Sequence, residues 1–342
     1  MSESDDEAAG WDAIDAALRV VYGAAEPKHY GTVVKWSLGG PDPIDGISVY
    51  ASEAFGVRHW HYVSYGLTEL YEKESETLDV SGWGFELTFR LKRREGDEDP
   101  PMWPISLMQN LARYVFDSGA TLDPGDHMDA NGPIMRDANT ALSALLFVED
   151  PELPKQSTKH GAMQFVQIVG VTPDELASAQ SWNTRGMLAL LAEAQPGWVA
   201  DLGRGTITDD PATRAAIGAG IRDEGSSMGV AFGDLLLLRE EGAGLEMTIG
   251  AIVADRLATV LPGRLRFGRT LILVGKDGEA RTSIELMPGE SLAFVPARGE
   301  ERPRLTLPPA LVDAFLAQVK GGGRYTLSPE LTIVVREPPM RN

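Results

Sequence analysis

The sequence contains no cysteine, which excludes disulfide bonds, thiol catalysis and thiolate metal ligands. It also lacks any apolar run close to the roughly 20 residues that a membrane-spanning helix needs. Residues 1–10 are acidic and polar, the opposite of a signal peptide. We therefore predict a cytoplasmic protein with no membrane partner.

Basic charge is scarce: 31 Lys and Arg stand against 50 Asp and Glu, a net charge of −19. The one dense basic run, 92–94, is followed at once by acidic residues. Because a nucleic-acid binder needs a basic surface to displace counterions, we predict no nucleic-acid partner. The acidic surface suits a basic protein partner, although such charge also simply keeps proteins in solution.

The sequence shows none of the common catalytic fingerprints. It has no G-x-S-x-G nucleophile elbow. Its glycine pairs are not followed by the G-K-[ST] of a phosphate loop, and 82–84 lacks the helix of a dinucleotide site. We predict no catalytic residues, no cofactor and no enzymatic activity.

The histidines leave one alternative open. On a strand, residues two apart share a face, so His59 and His61 could act together. With Asp126 and His127 they would provide the imidazole and carboxylate ligands of a metal-dependent hydrolase. The competing interpretation is that these histidines form hydrogen bonds within a half-buried sheet. We favour the second interpretation and predict no metal site.

Length and pattern predict two domains in an α+β fold, each mixing helices and strands, with a cleft between them. Residues 1–9 read as a disordered acidic tail, 10–236 as a larger domain, and 245–342 as a smaller one. The charged, glycine-containing tract 237–244 reads as a linker. Periodicity and turn chemistry predict helices at 11–21, from 104, from 173, around 187–191, from 211 and from 309, and strands at 47–50, 59–64, 85–91, 165–171, 271–274, 281–286 and 331–335.

Aromatic side chains are unusually dense between His59 and Phe116. Packing of a sheet against a helix accounts for most of them, but aromatic residues with polar tips also anchor binding surfaces. We leave open that a subset of them lines a groove. The set comprises Trp60, Tyr62, Tyr65, Tyr71, Trp83, Phe85, Phe89, Trp103, Tyr114 and Phe116.

Several of these residues lie in strings that resemble the Suppressor of fused family. The resemblance is carried by 59–71 (HWHYVSYGLTELY), 81–91 (SGWGFELTFRL), 101–116, 125–127 (GDH), 146–151, 167–171 and 178–183. It runs from about 11 to 234 and weakens beyond, where 263–269 still resembles the family's C-terminal domain. The chain lacks the long insert of the animal proteins and in this respect resembles bacterial members.

The resemblance implies a binding protein. In animals, family members clamp a short peptide of Gli transcription factors between two domains, and the peptide adds as a β-strand. Two of the polar contacts correspond here to Tyr114 and Asp126, which we expect to bind the partner. For bacterial members the family implies immunity proteins against secreted toxins, so the expected partner is a protein or peptide, with a toxin as one candidate.

Overall fold

The computed structural model describes residues 8–241, 244–278 and 280–337. Within them the chain forms two compact units, one from residues up to 176 with 188–209, the other from 177–187 with the residues from 210 onward. The predicted acidic tail, 1–9, lies outside the described residues except for Ala8 and Ala9. No helix in the described ranges is long and apolar enough to cross a membrane.

The first unit is built on a mixed sheet in the order β1-β2-β3-β4-β8-β6-β5, with β7 paired to β8. All pairings are antiparallel except β4 with β8, which is parallel. The strands are β1 Lys28–Gly31, β2 Gly46–Ser52, β3 His59–Tyr65, β4 Val80–Lys92, β5 His127–Asp129, β6 Ala144–Glu149, β7 Gln156–Thr158 and β8 Gly161–Val171.

Two helices cover opposite faces of this sheet. Helix α2, Trp103–Ser118, packs Met108 and Leu111 on the face that carries Tyr62 and Phe89. Helix α1, Ala9–Tyr22, packs on the other face. Because side chains alternate along a strand, β3 and β4 send apolar residues toward α2 and mostly polar ones toward the α1 side.

Local sequence accounts for where helices begin and end. Pro104 lies in the first turn of α2, and Gly119 ends it in the left-handed conformation. Helix α3, Pro173–Ser181, begins at the predicted position, with a capping box in which the Thr172 N–H donates to the Glu175 carboxylate at 2.9 Å. Helix α4 follows at Thr184–Ala194.

The second unit contains two sheets around one core. Their orders are β14-β15-β13-β12-β9 and β10-β11-β17-β16. The strands predicted at 271–274 and 281–286 are confirmed as β12 and β13, which pair antiparallel as a hairpin. The elements are α5 Pro211–Glu224, β9 Val230–Phe232, β10 Leu236–Glu241, β11 Gly244–Gly250, α6 Ala251–Leu265, β12 Leu271–Asp277, β13 Ala280–Pro288, β14 Ala293–Val295, β15 Arg304–Leu307, α7 Pro309–Gln318, β16 Gly323–Ser328 and β17 Leu331–Arg336.

The division of the chain differs from the predicted one. The expected linker, 237–244, falls on paired strands β10 and β11, with Gly242 and Ala243 outside the described residues. Residues 177–187 and 210–236 belong to the second unit. The Trp182 Nε1–H donates to Glu224 at 2.8 Å and so joins these two segments, and the Ser226 N–H donates to the Gly263 carbonyl of α6 at 2.7 Å. A Cβ at Gly220 would lie 2.2 Å from the Trp182 ring. A charged, glycine-containing tract fits a hairpin turn as well as a linker.

Candidate functional site

A buried carboxylate organises the segment that follows β3. Glu86 lies on β4 with no exposed surface. It accepts backbone N–H groups of Gly66, Leu67 and Thr68 at 2.9–3.1 Å, and hydroxyls of Ser64 at 2.5 Å and Thr68 at 2.7 Å. Burial raises the pKa of Glu86, and the donated hydrogen bonds oppose that rise. One side chain therefore fixes the backbone of 66–68.

The next turn is held by a second carboxylate and a glycine. Glu69 accepts Lys73 Nζ at 2.8 Å and the Gly82 N–H at 3.0 Å. Burial would raise the pKa of Glu69, but these bonds and those from 74–75 lower it to about 2. Gly82 has φ +53°, and a Cβ there would lie 2.7 Å from the Leu67 carbonyl oxygen. Only glycine allows β4 to approach 67–69 this closely.

A cavity of about 540 Å³ opens beside this segment, within the first unit. Residues 66–72 form one wall. Three aromatic side chains form another: Phe116 lies 5.6 Å from Trp36 and 5.5 Å from Trp83 between ring centroids. Tyr71, Trp83 and Phe116 thus belong to the subset of aromatics that lines a groove, whereas Tyr62, Phe85 and Phe89 are buried in the core.

The two strand histidines belong to a buried polar network on the α1 side of the sheet. The Tyr22 hydroxyl lies 2.7 Å from His61 Nδ1, and His61 Nε2 lies 3.3 Å from Asp150 Oδ2. Arg90 bonds both oxygens of Asp150, at 2.6 and 3.0 Å. Burial lowers the pKa of His61 to about 4, and that of His59 also falls because of burial. Both imidazoles are neutral at pH 7, and both are fully buried in the core of the protein.

The structure does not assemble the alternative metal site. His59 and His61 lie on β3, whereas Asp126 and His127 lie at β5, four strands away across the sheet. At about 4.8 Å per strand this separation is roughly 19 Å. Among the described residues, no group of three or more His, Asp or Glu is placed to hold a metal ion. The alternative that grouped these four residues into one metal site was therefore wrong. Positions in the sequence do not determine the order of the strands in the sheet.

Tyr114 lies on α2 and is 45% exposed. Its neighbours Ala112 and Val115 are fully buried, so packing fixes the helix without using Tyr114. Its hydroxyl makes no hydrogen bond within the part of the chain that the structure describes, while its carbonyl accepts the Ser118 hydroxyl at 2.6 Å. The side chain is available to a partner.

Asp126 is exposed and immediately precedes β5. One carboxylate oxygen, Oδ2, accepts the Asp123 N–H at 2.9 Å, so Asp126 also caps its own turn. In the described chain β5 pairs with β6 alone, which makes it an edge of the sheet. The Asp126 carbonyl accepts the Phe147 N–H of β6, and the Ala130 N–H donates to Ser143, which immediately precedes β6, so alternation turns the N–H of Asp129 away from β6.

Sequence reasoning missed the residues that shape the cavity. Glu86 alternates with apolar residues and resembles an exposed position of a half-buried strand. No charge pattern in the sequence marks its face as buried, because the charged run that begins at Lys92 follows Arg90 almost at once. Their buried partners, Asp150 and Gln167, lie on distant segments, so only the fold reveals them.

The fold and this site define a two-unit α+β protein in which buried carboxylates shape a surface cavity; its sheet also has an exposed edge at β5. The Suppressor of fused protein family model matches residues 40–205. The Suppressor of fused homologs of Homo sapiens and Mus musculus are 42% identical over 217 residues, 59% of this chain and 45% of theirs. The chain thus spans about half the length of these curated relatives.

Two solved structures are also similar. One is Drosophila Suppressor of Fused, with a TM-score of 0.81, 23% identity, and coverage of 97% of this chain and 98% of that chain. The other is a Sufu–Fu complex, whose matched chain is 33% identical with a TM-score of 0.58, over 62% of this chain and 98% of its own. The chain belongs to the Suppressor of fused family.

Proposed function

We propose that this chain is a non-enzymatic protein-binding module that takes an extended partner segment along the edge of β5, with Tyr114 and Asp126 as side-chain contacts. The observation that carries the proposal is the edge itself: β5 pairs with β6 alone in the described chain, beside exposed Asp126. Strand addition supplies main-chain hydrogen bonds for affinity, and neighbouring side chains supply specificity. A Sufu–Fu complex among the similar structures supports a protein as partner.

The proposal also covers where the partner segment lies and what the partner is. We propose that the segment binds between the two units, as the family resemblance implies. A secreted toxin neutralised by this chain in the cytoplasm is the first partner to try. The net charge of −19 supports a partner with a basic surface. Basic surfaces are common in proteins that act on nucleic acids.

The experiment first selects binding peptides from a displayed library and then measures their affinity for variants. Tyr114→Ala and Asp126→Ala should each weaken binding by about 1–3 kcal/mol, roughly 5- to 150-fold, the range of a lost polar contact in a desolvated site. Asp12→Ala is the matched control, because Asp12 is an exposed acid on α1, which covers the opposite face of the sheet from α2.

A backbone variant tests strand addition directly. Asp129→Pro removes an N–H that points away from β6, so the β5–β6 pairing should survive while an added strand loses a donor. Asp129→Ala controls for the lost carboxylate, which accepts the Asn131 N–H at 2.8 Å. The proposal fails if Asp129→Pro and Asp129→Ala bind every selected peptide equally and melting temperatures match.

A further inference from the structure

The cavity beside 66–72 combines aromatic walls with acidic groups that the fold does not use. Trp36 and Tyr71 are 38% and 39% exposed, so ring surface remains open to solvent. Four carboxylates, Asp45, Glu69, Glu72 and Glu74, line the cavity, against one cation, Lys35. An excess of negative charge beside aromatic rings is the chemistry that attracts a positively charged group.

The chain itself shows how a cation is held there. Lys35 Nζ lies 3.9 Å from the centroid of the Tyr71 ring. It donates to the Tyr71 hydroxyl at 2.6 Å and lies 3.4 Å from Asp45 Oδ2. One edge of the cavity therefore already carries a cation on an aromatic face with a carboxylate beside it.

The remaining acids divide into used and unused groups. Asp45 is paired with Lys35, and Glu69 is held by Lys73 and by backbone N–H groups. Glu72 and Glu74 are exposed and have no ion-pair partner within the described ranges. After internal pairing, two negative charges of the lining stay available to a ligand.

The segment that brings Lys35 and Trp36 to the cavity exposes apolar side chains around them. Val33 is 100% exposed and Leu38 77% exposed. Apolar side chains left this open, next to a concave site, are typical of a surface that a protein covers. A protein segment therefore fits better than a free small cation, because it would bury these side chains as well.

We propose that this cavity binds a lysine or arginine side chain of a protein partner, with the cation against Trp36, Trp83 and Phe116 and near Glu72 and Glu74. The inference rests on the proposed function and names the partner's chemistry. It concerns a surface distinct from the β5 edge, so the two ideas can fail separately: peptide binding that depends on Asp126 but not on this cavity would overturn this inference alone.

The test uses three capped tripeptides, Gly-Lys-Gly, Gly-Arg-Gly and Gly-norleucine-Gly, of which norleucine keeps the four-carbon chain of lysine without its ammonium group. Binding is followed by NMR of the tryptophan indole N–H signals. Of the seven tryptophans, Trp36 and Trp83 line the cavity and should shift, while the others serve as internal references. We expect the lysine and arginine peptides to bind roughly five-fold or more tightly than norleucine, with a preference that weakens in salt.

Variants then separate charge from shape. Glu72→Gln combined with Glu74→Gln should abolish most of the preference for lysine, and Trp36→Leu should reduce it while retaining apolar bulk. Glu76→Gln is the matched control, because Glu76 is an exposed acid of the same loop outside the lining. The proposal is overturned if norleucine binds as tightly as lysine, if no peptide moves the Trp36 and Trp83 signals, or if Glu76→Gln acts as strongly as the double variant.

Discussion

Replacing Glu86 by alanine should damage both stability and the cavity wall. The change removes the acceptor of three backbone N–H groups, those of Gly66, Leu67 and Thr68. The two hydroxyl donors can rotate toward other acceptors, but the N–H groups are fixed by the backbone. An orphaned buried donor costs about 1–3 kcal/mol, so the loss of three acceptor contacts should lower the free energy of unfolding by about 3–9 kcal/mol. That is a large part of the 5–15 kcal/mol typical of a folded domain.

Two further variants make this reasoning sharp. Glu86→Gln keeps Oε1, which accepts four of the five bonds, and changes only the oxygen that faces the Ser64 hydroxyl. Its loss should be near 1 kcal/mol, because Ser64 can accept where it now donates. Glu149→Ala on β6 is the control: its side chain is 63% exposed and its ion pair with Lys155 lies at the surface, so its effect should be under 1 kcal/mol.

Urea denaturation followed by tryptophan fluorescence gives the free energies, and amide hydrogen exchange gives the local effect. In Glu86→Ala the amides of Leu67 and Thr68 should lose protection, and the Trp83 indole signal should shift. A Glu86→Ala protein as stable as Glu149→Ala, with Leu67 and Thr68 still protected, would show that the five hydrogen bonds do not organise this segment.

Two other expectations follow from the same unit. Gly82→Ala should lower the free energy of unfolding by about 1–3 kcal/mol, through backbone strain and the contact of the new Cβ with the Leu67 carbonyl. Gly96→Ala is the control measured by the same urea titration, because Gly96 also has positive φ but a Cβ there meets nothing within 4 Å, so it reports the strain alone. Because the His61 pKa is about 4 in the folded protein and about 6.5 in the unfolded chain, the unfolded chain binds more protons between these pH values. The free energy of unfolding should therefore fall by about 3 kcal/mol as the pH is lowered from 6.5 to about 4. Melting curves across this range should show that slope for the native protein and a shallower one for His61→Gln; equal slopes would contradict it.

The sequence was sufficient for most helices and strands of the first unit, because local signals decide them. Pro104 and Gly119 bound α2, and the capping box at Thr172 and Glu175 begins α3. Alternation identified β3 and β4, although it underestimated their burial. Both faces of β3 are covered, by α1 and α2, so even its histidines are fully enclosed.

Long-range pairing explains what could not be predicted. Strand order placed β3 and β5 far apart and so separated His59 from His127. Likewise, the anchoring of 177–187 in the second unit depends on Trp182 meeting Gly220, nearly forty positions along the chain. No composition shift marks such a contact, whereas the charged tract 237–244 attracts attention without separating the units.

The strings that identify the family fall into two groups with different physical explanations. His59–Tyr65 is buried at every position, and 85–91 is too, so packing and the Glu86 and Arg90 networks suffice to explain their residues. Tyr114 and Asp126 are exposed. The Tyr114 ring is not needed for packing of the helix. The turn at Asp123 needs only a short side chain with a hydrogen-bond acceptor at position 126. Stability therefore does not explain why Tyr114 and Asp126 match the residues of the family. Binding of a partner at the β5 edge would explain it, and substitution of the two residues tests that explanation.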